Sequence, residues 1–168
     1  MAEYQHDLPA NVSAPLLTHI HTAHTTSPLA VLHLYLSSVF DRHPNLRLIL
    51  AHPGTLPSLI PRIESLLASI PVADKPKRGF LDVWQHNIYL TTADAQDMSS
   101  LRALLEQIPV DRVLYASNYP LEERGKELMG EIMESGFLTK LEWERIAWGN
   151  AEILFNMKGP GAGPKSGR

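Results

Sequence analysis

The sequence predicts an α/β fold in which a parallel sheet is covered by helices. Three observations carry that reading. Short apolar runs bounded by turn residues alternate with longer segments of helical period. The connections between them are too short for anything but compact βαβ units, whose parallel strands need a crossover helix. The composition, 44% hydrophobic and 20% charged over 168 residues, matches a globular chain with one core.

The elements follow in order. Residues 1–14 show no clear period and read as a loose N-terminus. From Ser27-Pro28 the apolar residues Leu29, Leu32, Leu36, Val39 and Phe40 recur at helical spacing, with Ser27 placed as N-cap and Pro28 in the first turn, so one helix is expected to Arg42. His43-Pro44-Asn45 breaks it. Leu46 to Ala51 is a mostly apolar run suited to a buried strand, and its C-terminal end delivers His52. After Pro53-Gly54, residues 56–69 are helical by the spacing of Leu59, Ile63, Leu66 and Leu67, and Phe80 to His86 reads as a shorter helix. Ile88 to Thr92 is a second strand, Ser99 to Gln107 a helix, and Arg112 to Ser117 a third strand ending at Asn118. Leu121 to Ser135, Leu141 to Ala147 and Ala151 to Phe155 form a helical tail. Residues 15–158 are thus expected as one domain, followed by a Gly/Pro-rich tail, 159–168, that cannot build a core. Three strands fall well short of a closed eight-stranded barrel, which takes about 250 residues.

Composition narrows the function. The net charge is −3, and no basic cluster exceeds Lys75, Lys77 and Arg78, so a nucleic-acid partner is not expected. Cysteine is absent, which removes disulfides, thiolate metal sites and a cysteine nucleophile. The polar opening lacks the pattern of a secretory signal, and no apolar run reaches the roughly 20 residues of a membrane span, so a cytoplasmic location and no membrane partner are expected. Phosphate-binding loops, dinucleotide fingerprints, Gly-x-Ser-x-Gly elbows and His-Glu-x-x-His helices are all missing.

In parallel α/β folds the working residues gather at the C-terminal ends of strands. Three such ends can be named: Ala51-His52-Pro53-Gly54, Thr91-Thr92-Ala93-Asp94 and Ala116-Ser117-Asn118-Tyr119-Pro120. His52 is the sharpest candidate, because an imidazole can accept or donate a proton near neutral pH; the alternative is a histidine that only hydrogen-bonds in its loop. Gly54 permits a sharp turn beside it. Asn118 stands where a carboxylate would make a good ligand or base, but an amide can only orient or coordinate. Asp94 reads as a turn or cap residue. The densest histidine group, His19-Ile20-His21 with His24, suits a metal if the His-x-His pair lies on a strand, whereas His21 and His24 would share a face on a helix. A polar loop or helix start is the competing reading. His33, His43 and His86 are expected in packing or capping, and Trp84, Trp143 and Trp148 in the core.

The order of several blocks resembles the amidohydrolase-related family that includes aminocarboxymuconate-semialdehyde decarboxylase and the dihydroxybenzoate or resorcylate decarboxylases. The stretches concerned are Leu34 to Gly54, with its Ala-His-Pro-Gly close, Asn87 to Thr92, Asp111 to Pro120 with Ser-Asn-Tyr-Pro, and Ile146 to Phe155 with Gly-Asn-Ala. The similarity runs from about Leu29 to Asn156. It implies a partial (β/α) TIM-type barrel, the C-terminal half, and a divalent cofactor, zinc or manganese. His52 matches the family histidine implicated in proton transfer during carbon–carbon cleavage. Asn118 matches a metal-ligating aspartate, so the resemblance implies a weakened or absent ion here. The family's first-strand ligands have no visible counterpart, and the ligand role is not carried over to His19 and His21.

The resemblance therefore implies a carboxy-lyase, or a hydrolase, acting on a small aromatic or unsaturated carboxylate. His52 would be catalytic and Asn118 would bind substrate. Two other readings stand beside it, a non-catalytic half-barrel that binds a partner and a truncated gene product. A partial sheet leaves edges and an apolar face that proteins cover by pairing, so self-association or a covering partner is expected.

Overall fold

The computed structural model describes residues 23–95, 97–117, 119 and 124–157. The expected loose ends, 1–14 and 159–168, lie outside the described residues. The chain divides into two compact units, Met1–Ile88 and Tyr89–Arg168.

In the first unit, helix α1 (Ala23–Leu36) is followed by the single-turn α2 (Val39–Arg42), strand β1 (Leu48–Leu50), helix α3 (Leu56–Ala68), a 3₁₀ turn (Val72–Asp74) and helix α4 (Phe80–Asn87). The single helix expected from Ser27 to Arg42 is two. It is already formed at Ala23, so Ser27 is not its N-cap, and it breaks at Ser37-Ser38, where Ser38 takes a left-handed φ of 54°. The Arg42 guanidinium holds that break by donating to the Ser37 carbonyl at 2.9 Å. In α3 the buried stripe is Leu56, Ile60 and Ile63, and Leu66 is 58% exposed. Leu and Ile recur so densely in this helix that two adjacent stripes fit its period, and the sequence reading chose the neighbouring one.

An aromatic core holds this unit together. Tyr35 meets the Phe80 ring edge-on at 5.1 Å, and Phe80 stacks on Trp84 at 6.5 Å. Phe40 and Leu56 complete it, each essentially free of solvent contact. The expected buried strand is shorter and only partly buried, with Ile49 39% exposed. Its entry is fixed by Asn87, which is buried and donates both amide hydrogens, to Pro44 O at 2.8 Å and Leu46 O at 2.6 Å.

The second unit contains strand β2 (Ile88–Thr91), which starts at the boundary, a 3₁₀ turn (Thr92–Asp94), helix α5 (Met98–Gln107), a 3₁₀ turn (Val110–Arg112), strand β3 (Val113–Leu114), helix α6 (Arg124–Ser135), helix α7 (Lys140–Glu144), a π-helical turn (Arg145–Gly149) and helix α8 (Asn150–Leu154). Strands β2 and β3 pair in parallel, Leu90 with Val113 and Thr91 with Leu114, as the short connections predict. Every residue of β2 is buried.

Two capping boxes set the helix starts. Asp97 accepts from Ser100 N at 2.8 Å while Ser100 Oγ accepts from Asp97 N at 3.1 Å, and Thr139 and Glu142 make the same exchange before α7. The third strand is much shorter than Arg112 to Ser117. Beyond Leu114 its backbone leaves the ladder, since Tyr115 N donates to Ile146 O at 3.0 Å. Asn150 repeats the arrangement seen at Asn87: buried, it donates to Val110 O and Val113 O, both at 2.8 Å, at the entry to β3. Of the three tryptophans expected in the core, Trp84 is there, but Trp148 is 46% exposed and packs edge-on against Trp143 at 5.3 Å. The extra residue of the π turn changes the helical phase and turns Trp148 outward.

Candidate functional site

In the first unit, β1 ends at Leu50 and His52 follows two residues later, half-buried. Behind it the chain turns at once. Pro53 is buried, Gly54 takes φ 54°, and Leu56 N donates to Pro53 O at 3.1 Å to open α3. A left-handed residue at this turn suits glycine, so the sequence reading of Gly54 holds. The result is a histidine presented at the C-terminal end of a strand on a short, constrained connection.

In the second unit the ends of β2 and β3 are tied through side chains. Thr91 Oγ1 accepts from Ala93 N at 3.3 Å and starts the 3₁₀ turn that contains Asp94, as expected for a turn residue. Thr92, 3% exposed, does more: its hydroxyl donates to Ala116 O at 3.2 Å and accepts from Ala116 N at 3.0 Å. One side chain thus supplies the next rung of the β2–β3 ladder. From the other side α6 comes so close that a Cβ on Gly125 would stand 3.0 Å from Ser117 Cα and 3.3 Å from Ala116 O. The strand end that leads to position 118 is held on two sides. Asn118 itself lies outside the described residues.

The histidine group is only partly in view. His24 belongs to α1, while His19 and His21 lie outside the described residues. Among the described residues no group of three His, Asp or Glu side chains could hold a metal ion. These residues do not by themselves fit a divalent site, and no chemical step is routed through one here.

The remaining histidines have plain roles. His33 is exposed, not packed into the apolar stripe, and His43 is exposed where α2 ends, its backbone N donating to Val39 O at 2.8 Å. His86 is exposed too and lies on Asp82, with Nδ1 2.8 Å from the Asp82 carbonyl oxygen and 2.9 Å from its carboxylate. The Asp82 carboxyl is held below the usual range, mainly by the hydrogen bond from Arg78 at 2.7 Å and then by the charges of Arg78 and His86. Sequence reading missed Thr92, Asn87, Asn150 and Gly125. A polar residue inside or beside a buried strand was the available signal for the first three; nothing in the sequence marks the close approach at Gly125.

An α/β chain with parallel strands and a histidine at a strand end belongs, by architecture, with the barrel enzymes. More specifically, this chain belongs to the amidohydrolase family, whose profile matches residues 5–157. It is 34% identical over 137 residues to decarboxylase orsB of Emericella nidulans, a match covering 80% of this chain and 41% of that protein. To the gamma-resorcylate decarboxylase of a Polaromonas species it is 32% identical over 124 residues, covering 72% and 37%. Among solved structures, 2,6-dihydroxybenzoate decarboxylase complexed with 2,6-dihydroxybenzoate superposes with a TM-score of 0.72 at 26% identity, over 91% of this chain and 48% of that one. The dihydroxybenzoic acid decarboxylase of Polaromonas sp., with bound manganese and 2-nitroresorcinol, gives 0.69 at 28%, over 89% and 47%. The chain therefore spans about two fifths of these curated relatives and about half of these structures. The expected partial (β/α) barrel is borne out. No helix of the described residues is long and apolar enough to cross a membrane.

Proposed function

We propose that this chain carries the chemistry of a carboxy-lyase acting on a small hydroxylated aromatic carboxylate, with His52 as the proton donor. The observation that supports it most is the half-buried histidine on the constrained turn after β1, in a chain similar to resorcylate and dihydroxybenzoate decarboxylases. In this reading the imidazolium of His52 delivers its proton to the ring carbon that bears the carboxylate. The carbon–carboxylate bond then breaks, its electron pair restores the aromatic ring, carbon dioxide leaves, and water returns a proton to the imidazole. Hydroxyl groups flanking the carboxylate stabilise the protonated ring by donating electron density, which is why a dihydroxybenzoate is the substrate class.

Asn118 is assigned a substrate-orienting amide, since it can donate and accept but offers no basic oxygen. Manganese is bound in the related Polaromonas structure. In this chain an amide at 118 in place of a carboxylate favours weak retention of such an ion, with His19, His21 and His24 as the candidates for any replacement ligands. The reading also keeps the protein in the cytoplasm, as an assembly of copies or with a covering partner. A single experiment tests it: the purified chain, supplied with manganese, is incubated with 2,6-dihydroxybenzoate and resorcinol is measured by chromatography. Resorcinol above the protein-free blank is the expected result. A folded sample that forms none, with or without manganese, favours the alternative of a non-catalytic binding protein, to which the amide at position 118 also points.

A further inference from the structure

The first unit contains a cavity on its helical layer that the proposed chemistry does not use. It measures about 400 Å³, within the range of small-molecule sites, and lies among α1, α3, the 3₁₀ turn and the start of α4. Leu67, Ala68, Val72 and the aromatic pair Tyr35 and Phe80 give it apolar walls. Val72 is 87% exposed and Ala68 is also exposed, so apolar surface at this place faces solvent with nothing over it among the described residues.

The polar groups of the lining fall into two sets. Tyr35 and Glu64 are already engaged: the phenol donates to Arg78 O at 3.1 Å, and the Glu64 carboxylate accepts from Leu81 N at 3.1 Å. Burial, followed by the nearby charges of Glu64 and Asp41, pushes the Tyr35 phenol above its ordinary range, so this wall stays neutral. Lys75 and Lys77 form the second set. Both line the cavity, and neither ammonium group is ion-paired among the described residues. The loop that carries them is pinned, because Asp41 accepts from Lys77 N at 2.7 Å and from Arg78 N at 3.1 Å. Two available cations on a fixed loop therefore stand beside an apolar, partly aromatic cleft, against one carboxylate that is already hydrogen-bonded.

We propose that this cavity is a second binding site, separate from His52, for an apolar monoanion such as a small aromatic carboxylate. The ring lies against Tyr35, Phe80, Leu67 and Val72, where aromatic edges and aliphatic carbons exclude water. The carboxylate takes the ammonium groups of Lys75 and Lys77, whose methylene stems extend the apolar wall. Nothing in this argument depends on decarboxylation, so the site stands or falls independently of the activity proposed above.

The test is calorimetric titration of the whole chain with 2-naphthoate and with its neutral analogue 2-naphthamide. The expected result is saturable naphthoate binding that weakens roughly tenfold in the Lys75→Glu, Lys77→Glu double variant, the scale expected when one favourable charge contact is lost. In that variant naphthamide binding stays unchanged. Ala68→Phe, which fills the cleft from the exposed end of α3, weakens both ligands, and His52→Gln weakens neither. Val72→Asp is the alternative charge probe should the double variant fail to fold, because so exposed a side chain contributes little to folding. Absence of saturable naphthoate binding overturns the proposal. So does binding that is lost in His52→Gln yet retained in Ala68→Phe, which would assign the ligand to the strand-end histidine.

Discussion

Replacing Asn150 by aspartate exchanges one nitrogen for an oxygen and keeps the shape, yet should be among the most damaging changes in the second unit. The Asn150 amide nitrogen donates to two carbonyl oxygens, Val110 O and Val113 O, each at 2.8 Å, and the residue is 2% exposed. Aspartate offers no donor in its ionised form and places an anion against two acceptors. Losing two hydrogen bonds costs about 1 kcal/mol each, and stranding the buried carboxylate adds more, for a total of about 3–5 kcal/mol at neutral pH. Leucine at the same position orphans the carbonyls without adding charge and should cost about 2–3 kcal/mol.

The pH dependence separates the two variants. An aspartate whose folded-state pKa is raised is penalised above its unfolded value of about 3.9, and the penalty grows with pH until the folded-state pKa is reached. Asn150→Asp should therefore recover stability relative to the unmutated chain as pH falls towards about 4, where the protonated acid can again donate one hydrogen bond. Asn150→Leu should keep a constant deficit. Urea unfolding followed by tryptophan fluorescence is suitable, since Trp143 and Trp148 lie in the same helical tail. Equal stability of Asn150→Asp and the unmutated chain at neutral pH, or a deficit independent of pH, would refute the reasoning.

Three further outcomes are expected. Gly125→Ala should destabilise by about 1–3 kcal/mol, because its new carbon meets backbone at 3.0 Å, whereas Gly130→Ala in the same helix, with nothing within 4 Å, should stabilise by about 0.5–1 kcal/mol; paired thermal melts decide both. Thr92→Val removes the group that satisfies Ala116 N and O and should cost about 1–3 kcal/mol, with Thr92→Ser restoring most of it in denaturant titrations. Asp82 has a lowered carboxyl pKa in the folded chain, so its contribution is present above the unfolded value and is lost as pH falls through the folded one. Its side chain is 47% exposed, so the Asp82→Asn difference should stay below about 1 kcal/mol and shrink further in high salt.

The succession of strands and helices was legible because each element has its own period and its own turn residues. Ile88 to Thr91 reads as a strand and is one, wholly buried. What escaped the sequence were features decided by side chains distant along the chain. Asn87 and Asn150 look like ordinary polar residues at element ends, and only folding shows each facing two carbonyls more than thirty-five residues away. The third strand is shorter than its apolar run because Tyr115 N bonds to Ile146 and Ala116 to the Thr92 hydroxyl, choices invisible to a local pattern. Leu66 and Trp148 were misplaced for a related reason: helical period gives a stripe, but neither its phase in a leucine-rich helix nor the slip introduced by a π turn. His52 was legible because a histidine directly after an apolar run is a statement about a strand end, and strand ends are where such folds act.

The account rests most heavily on His52 as the proton donor, and the direct measurement is the rate of resorcinol formation from 2,6-dihydroxybenzoate by the unmutated chain and by His52→Gln, with urea unfolding midpoints taken on both samples. The account predicts a drop in kcat of about 100-fold or more at an unchanged midpoint, the scale of losing a general acid. Equal rates in the two proteins, both folded, would contradict it.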